Sequence, residues 1–137
     1  MKIVCSILII ALLLSNCVTK DDYIRNVYVS IDLYLLNPEY SDLDALGSSI
    51  FIEGGNAGII IYHFAPNEYK VYDRNCSYEP SLSCSYIDSV DVGIAFCGCC
   101  SSIFLLSQDG LAGNGPAILS LKQYYWTLQG SQMHIYN

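Results

Sequence analysis

Cys76-Ser77-Tyr78, Cys84, Cys97-Gly98-Cys99-Cys100-Ser101-Ser102, Asp109-Gly110 and Gly115-Pro116-Ala117 follow one another along the stretch that decides how this chain is read. Five of the seven cysteines lie in it, in two separate groups. Cysteines grouped in this way bridge one another, hold a soft metal or act as redox nucleophiles. The residues around them decide which.

The chain on either side is built for strands. Tyrosine is abundant at 12 of 137 residues, and Val and Ile recur beside it. Val27 to Tyr34 alternates as a half-buried strand, and Asn37-Pro38 ends it. Pro38 to Gly47 reads as a loop with room for one short helical turn. Ser49 to Ile52 is a second strand, Gly54-Gly55-Asn56 a turn, and Ile59-Ile60-Ile61-Tyr62 a third strand apolar enough to be covered on both faces. Ala65-Pro66-Asn67 is a hairpin turn that sends Tyr69 to Asp73 back along it. Further strands are expected at Val90 to Ile94, at Ser102 to Leu106, through Leu119, Leu121, Tyr124, Trp126 and Leu128, and at Gln132 to Tyr136. The order is that of an all-β antiparallel sandwich with a small inserted subdomain that carries the cysteine loops.

The cysteine stretch resembles the Rieske ferredoxin family, whose two loops read Cys-x-His and Cys-x-x-His. Cys76-Ser77-Tyr78 stands at the first loop and Cys97-Gly98-Cys99-Cys100 at the second. Phe104 follows at the aromatic place, then Asp109-Gly110, and Gly115-Pro116-Ala117 matches the closing proline loop. Val71-Tyr72-Asp73-Arg74 resembles the strand that enters the first loop, and the likeness runs from about Ile50 to Tyr136. It implies a Rieske-like fold. A Rieske cluster holds one iron by two thiolates and the other by two neutral imidazoles. Here Tyr78 and Cys100 occupy the two histidine places, so the former ligand positions are Cys76, Tyr78, Cys97 and Cys100. The resemblance therefore implies the fold without its ordinary cluster. His63 and His134, the only histidines, lie in strand-like stretches outside both loops and receive no role.

The same likeness places Cys76 and Cys97 near enough to bridge, since in the family both hold one iron. Closing such a loop stabilises a domain by about 3 kcal/mol in the chain-entropy model. Cys100 is an equally placed partner, and Cys84 can reach Cys99 or Cys100. Adjacent Cys99 and Cys100 rarely pair with each other. Two bridges would leave one of the five thiols free. The rival reading is a metal held by Cys76, Cys97 and Cys100, with Cys84, Cys99 or the Tyr78 hydroxyl as a fourth ligand, because zinc and [2Fe–2S] both accept four thiolates. A third reading uses Cys97 and Cys100 as a redox Cys-x-x-Cys pair.

The N-terminus addresses the chain outward. Met1-Lys2 precedes the apolar run Ile3 to Leu14, shorter than the roughly twenty residues that span a bilayer. Residues 1–16 read as a signal peptide that carries Cys5 away with it. Leu14-Ser15-Asn16-Cys17 resembles a bacterial lipobox, which makes Cys17 the lipid attachment site and residues 17–26 an anchor and tether before a β domain at 27–137. Lys20-Asp21-Asp22 resembles an export signal that places lipoproteins on the cell surface. The expected setting is the bacterial envelope, as an outer-membrane lipoprotein with an exposed face. Disulfides persist in such a compartment.

Charge and motif exclude other classes. The full chain carries a formal charge of -7 and a pI near 4.4, the reverse of a nucleic-acid-binding face. No nucleophile elbow, zinc-protease motif or phosphate loop is present. The sequence is read first as an envelope structural or interaction module, with an unknown envelope protein as partner and no cofactor. The alternative is an electron-transfer protein with an atypical cysteine-ligated [2Fe–2S] cluster.

Overall fold

The computed structural model describes residues 23–137. The expected signal peptide, the expected lipid attachment site Cys17 and the expected export signal Lys20-Asp21-Asp22 lie outside the described residues. Among these residues ten strands run in chain order. They are β1 (Ser30–Tyr34), β2 (Ser49–Ile52), β3 (Ile59–Ala65), β4 (Glu68–Asp73), β5 (Ser89–Asp91), β6 (Ile94–Cys97), β7 (Ser102–Leu105), β8 (Leu111–Asn114), β9 (Tyr125–Gln129) and β10 (Gln132–Tyr136). Short 3₁₀ segments at Pro38–Asp44 and Leu106–Gln108 are the only helical elements among the described residues. The fold is all-β, as the sequence reading expected.

The strands form three antiparallel sheets, ordered β1-β10-β9, β2-β3-β4 and β5-β6-β7-β8. The second is the middle layer, and its side-chain alternation proves it. Ile59, Ile61 and Val71 point one way, into a core with Val29, Leu33, Tyr124, Met133 and Ile135. Ile60, Tyr62 and Tyr72 point the other way, into a core with Cys76, Ile87, Ala95, Cys97, Phe104 and Leu106. β3 is therefore apolar in every register position from Ile59 to Tyr62, because neither face meets water. The four-stranded sheet is the inserted cysteine subdomain, and it leaves and rejoins the sandwich between β4 and β9.

The strands depart from the sequence reading at three places. The strand expected over Val90 to Ile94 is two strands, broken at Val92-Gly93, where both residues have positive φ (45° and 74°) as a type I′ hairpin turn requires. Gly93 suits that turn and β-branched Val92 does not, so the break was hidden by its first residue. The strand expected from Leu119 to Leu128 begins only at Tyr125. Residues before it run beside β4 through a Tyr72–Gln123 bridge and bonds from Asp73 N to Lys122 O and from Tyr124 N to Val71 O. β8 was not expected, since Leu-Ala-Gly-Asn carries no strand pattern. Upstream, Ile24 is already buried, and Lys122 Nζ donates to Arg25 O and Asn26 Oδ1, so residues 23–26 lie against the domain.

Asp73 ends β4 fully buried. Its carboxylate accepts from Asn56 N (2.6 Å), Ala57 N (3.2 Å), Asn75 N (2.8 Å) and the Tyr124 hydroxyl (2.5 Å). Asp73→Ala should lower the free energy of unfolding by about 3 kcal/mol or more, because buried donors lose a charged acceptor together. Urea denaturation measures it, and a loss under about 1 kcal/mol would remove this carboxylate from the architecture.

Burial, then its contact with Asp73, raises the Tyr124 pKa, and burial, then Asp109, raises that of Tyr72. Both phenols are held protonated by the fold. Their contribution is complete below the ordinary value of 10.0 and is lost as pH rises above it. The urea midpoint should therefore fall as pH rises beyond that value, and a flat profile in strong alkali would contradict the assignment.

Candidate metal centre

Three loops of the inserted subdomain meet at one end. The first leaves β4 through Asn75 and returns at β5. Its shape is set by main-chain bonds from Cys76 N to Ser85 O (2.9 Å) and Ile87 N to Arg74 O (2.7 Å), and by Asn75 Nδ2 on Ser85 O (2.6 Å). The second is the tight connection between Cys97, at the end of β6, and its register partner Ser102, at the start of β7. Ser101 N closes it on Cys97 O (2.8 Å), and Gly98 N donates to the Asp88 carboxylate. The third is the proline loop, which buttresses both. Ala117 N donates to Ser102 Oγ (3.1 Å), and Ser77 Oγ donates to Leu119 O (2.5 Å).

This framework brings Cys76, Cys97 and Cys100 together, with all three sulfurs within 4.8 Å of one another. Cys76 Sγ and Cys100 Sγ are 3.5 Å apart. Cys76 and Cys97 are buried in the apolar core, and Cys100 is half-buried. Each sulfur is faced by a main-chain N–H two or three residues downstream: Tyr78 for Cys76, Cys100 for Cys97 and Ser102 for Cys100. Such donors favour the thiolate over the thiol. Tyr78 thus serves through its backbone, while its side chain packs, partly buried, against the core.

The three thiols are not equivalent. Burial raises the Cys76 pKa strongly, and burial likewise raises that of Cys97. At Cys100 burial also pushes upward, but the Ser102 hydroxyl and N–H and the two neighbouring thiols outweigh it, and its pKa is lowered. As a neutral thiol Cys100 donates to Ser102 Oγ (3.1 Å); once it ionises, that hydroxyl can turn and donate back. Ser102 is the site residue that the sequence reading missed, although it stands only two positions beyond Cys100.

The disulfide lies elsewhere. Cys84 is bonded to Cys99, one of the two partners expected for it, and the bridge ties the first loop to the second. The expected Cys76–Cys97 and Cys76–Cys100 bridges are not formed, and three thiols remain rather than one. Cys99 points out of the triad because consecutive side chains in a tight loop diverge, which leaves it to Cys84. The histidines are remote and structurally employed. His63 Nδ1 donates to Leu43 O (2.6 Å) and stacks on Tyr69, and His134 Nδ1 lies 2.9 Å from Asp32 Oδ1.

The triad does not fit the ordinary Rieske cluster, which needs two imidazoles. Three sulfurs this close do fit one metal ion. With metal–sulfur bonds of about 2.3 Å, a tetrahedral ion sets its sulfurs about 3.8 Å apart. Cys100, the half-buried member, marks the side on which the triad meets solvent.

No protein-family model and no curated protein matches the chain. Solved structures do. One is the ferredoxin of carbazole 1,9a-dioxygenase from Nocardioides aromaticivorans IC177, with a TM-score of 0.53 at 13% identity over 80% of this chain and 97% of that one. Another is a chain from the complex of reduced oxygenase and oxidized ferredoxin in carbazole 1,9a-dioxygenase, with a TM-score of 0.52 at 11% identity over 82% and 94%. The fold is Rieske-like.

At neutral pH iodoacetamide should alkylate Cys100 ahead of Cys97 and Cys76. Ser102→Ala should move the Cys100 titration upward and slow its alkylation. Cys76 reacting first would contradict the order that burial and hydrogen bonding impose.

Proposed function

We propose that this domain is an electron-transfer module whose metal centre, iron held by Cys76, Cys97 and Cys100, replaces the ordinary two-histidine cluster. The observation that carries the reading is the convergence of three thiols, each met by a main-chain N–H, at the loop end of a ferredoxin-like fold. Bound iron would supply one-electron chemistry. The chain's own residues supply the rest. Cys76 and Cys97 lie in an apolar wall that excludes water. The N–H donors offset thiolate charge. The Cys84–Cys99 bridge and the proline loop hold the sulfurs in register, and half-exposed Cys100 faces the side from which a partner would approach.

A second reading keeps the domain as a structural or interaction module of the envelope, without metal or with zinc. Cys84–Cys99 favours it, since the loops are tied together without any ion. In both readings an envelope protein is the partner.

Iron, acid-labile sulfide and zinc per chain, measured on anaerobically purified protein, separate these. One iron without sulfide is the outcome the sulfur spacing favours, and it should be lost in Cys76→Ser, Cys97→Ser or Cys100→Ser. Two irons with two sulfides make the centre a cysteine-ligated [2Fe–2S] cluster. Zinc alone, or no metal under reducing conditions, leaves the structural module.

The anchor is proposed at Cys17, where each acyl chain would add about 0.8 kcal/mol of membrane affinity per buried methylene. Cells given labelled palmitate should incorporate it into the native chain and not into Cys17→Ser. Absence of label from the native chain would remove the lipoprotein assignment and with it the outer-membrane location.

A further inference from the structure

We propose that Cys100 and Cys76 are a dithiol that exchanges with small-molecule disulfides, Cys100 as the entry thiol and Cys76 as the resolving one. The pair is not the Cys97–Cys100 spacing that the sequence offers, and it is set by the fold. Cys76 and Cys100 sulfurs are already 3.5 Å apart, and a disulfide bond needs about 2.05 Å. Cys76 is 0% exposed and Cys97 1% exposed, so an arriving disulfide meets Cys100 first. Cys97 is fixed as the last residue of β6 in register with Ser102, whereas Cys100 sits in the loop between them and can shift. The loops need not be brought together by the reaction, since Cys84–Cys99 already joins them.

The exchange balances without any further reagent. The Cys100 thiolate attacks one sulfur of a disulfide RSSR, which forms a Cys100–S–S–R mixed disulfide and releases RS⁻. Cys76 then attacks the Cys100 sulfur as its proton passes to the leaving sulfur, which forms Cys76–S–S–Cys100 and releases the second R group as RSH. Two electrons pass from the pair to the small disulfide, and Cys97 remains a lone buried thiol. Resting on the metal reading above, this gives the site two exclusive states. The bridged form has lost two of its three ligands, so oxidation of the pair and retention of the ion exclude each other.

The test titrates metal-free protein with glutathione disulfide, followed by differential alkylation and peptide mapping of each cysteine. Cys76 and Cys100 should lose their alkylation together, with one peptide linking them, while Cys97 stays alkylable after unfolding and Cys84–Cys99 is unchanged. Cys76→Ser should stop at a glutathionyl adduct on Cys100. Cys100→Ser should slow oxidation of Cys76 and Cys97 at least about tenfold. A bridge that maps to Cys97, a persistent Cys100 adduct in the unsubstituted protein, or three thiols that stay reduced would each overturn the proposal. The same titration on iron-loaded protein should show protection of the pair. Exchange without any iron binding sinks the metal reading and leaves the dithiol standing, whereas iron binding without exchange sinks only the dithiol.

Discussion

Everything at the cysteine end hangs from one buried carboxylate. Asp73 ends the middle sheet, and its four donors belong to three different segments. Asn56 and Ala57 come from the turn between β2 and β3, Asn75 opens the first cysteine loop, and Tyr124 leads into β9. A buried charge is costly unless it is paired or fully hydrogen-bonded, so the surrounding chain has little freedom. Gly55 shows how tight the fit is. A Cβ there would stand 2.7 Å from Asp73 Oδ2 and 2.8 Å from the Tyr124 hydroxyl. The Gly54-Gly55-Asn56 turn is thus shaped by what it must cradle.

From that point the two cores divide the labour. The Ile59, Ile61 and Val71 side of the middle sheet joins the sandwich, and the Ile60, Tyr62 and Tyr72 side seats the cysteine subdomain. Tyr72 also donates its hydroxyl to Leu106 O (2.6 Å), which pins the segment after β7 to β4. Cys76 and Cys97 count among the residues of this second core. The thiols therefore inherit the rigidity of a packed interior, while only Cys100 stands at its edge.

Legibility followed the range of the signal. The isoleucine run of β3 announced a strand buried on both faces, and Pro66-Asn67 announced its hairpin, because both are local. The two cysteine loops and the proline loop were legible as a pattern, and with them the fold. What failed was what depends on neighbours in space. Val92 is a poor turn residue by itself, and the turn forms because β5 and β6 pair around it. Residues 119–124 look like strand but lie in a loop whose bonds go to Gly110, Asp73 and Val71. The cysteine pairing was open in the sequence because the family resemblance left four pairings within reach, Cys76 with Cys97 or Cys100 and Cys84 with Cys99 or Cys100. It was decided by side-chain direction, which sends Cys99 outward to Cys84 and turns Cys100 inward.

The triad itself is constrained by charge. Three thiolates within 4.8 Å would repel strongly in an apolar wall, and the chain as a whole is already acidic at -7. Three N–H groups soften that repulsion without cancelling it. Burial above all raises the pKa values of Cys76 and Cys97, with neighbouring thiols adding to it, and the lowered value of Cys100 marks the sulfur that ionises first. The site must therefore hold protons, a cation or a covalent sulfur–sulfur bond. Protons leave it a passive part of the core. A cation turns the same three sulfurs into a coordination sphere, and a bond between two of them removes that sphere. A fold that packs two thiols in its core and leaves the third half-buried at its edge opens any change among these states to one side only, the side of Cys100.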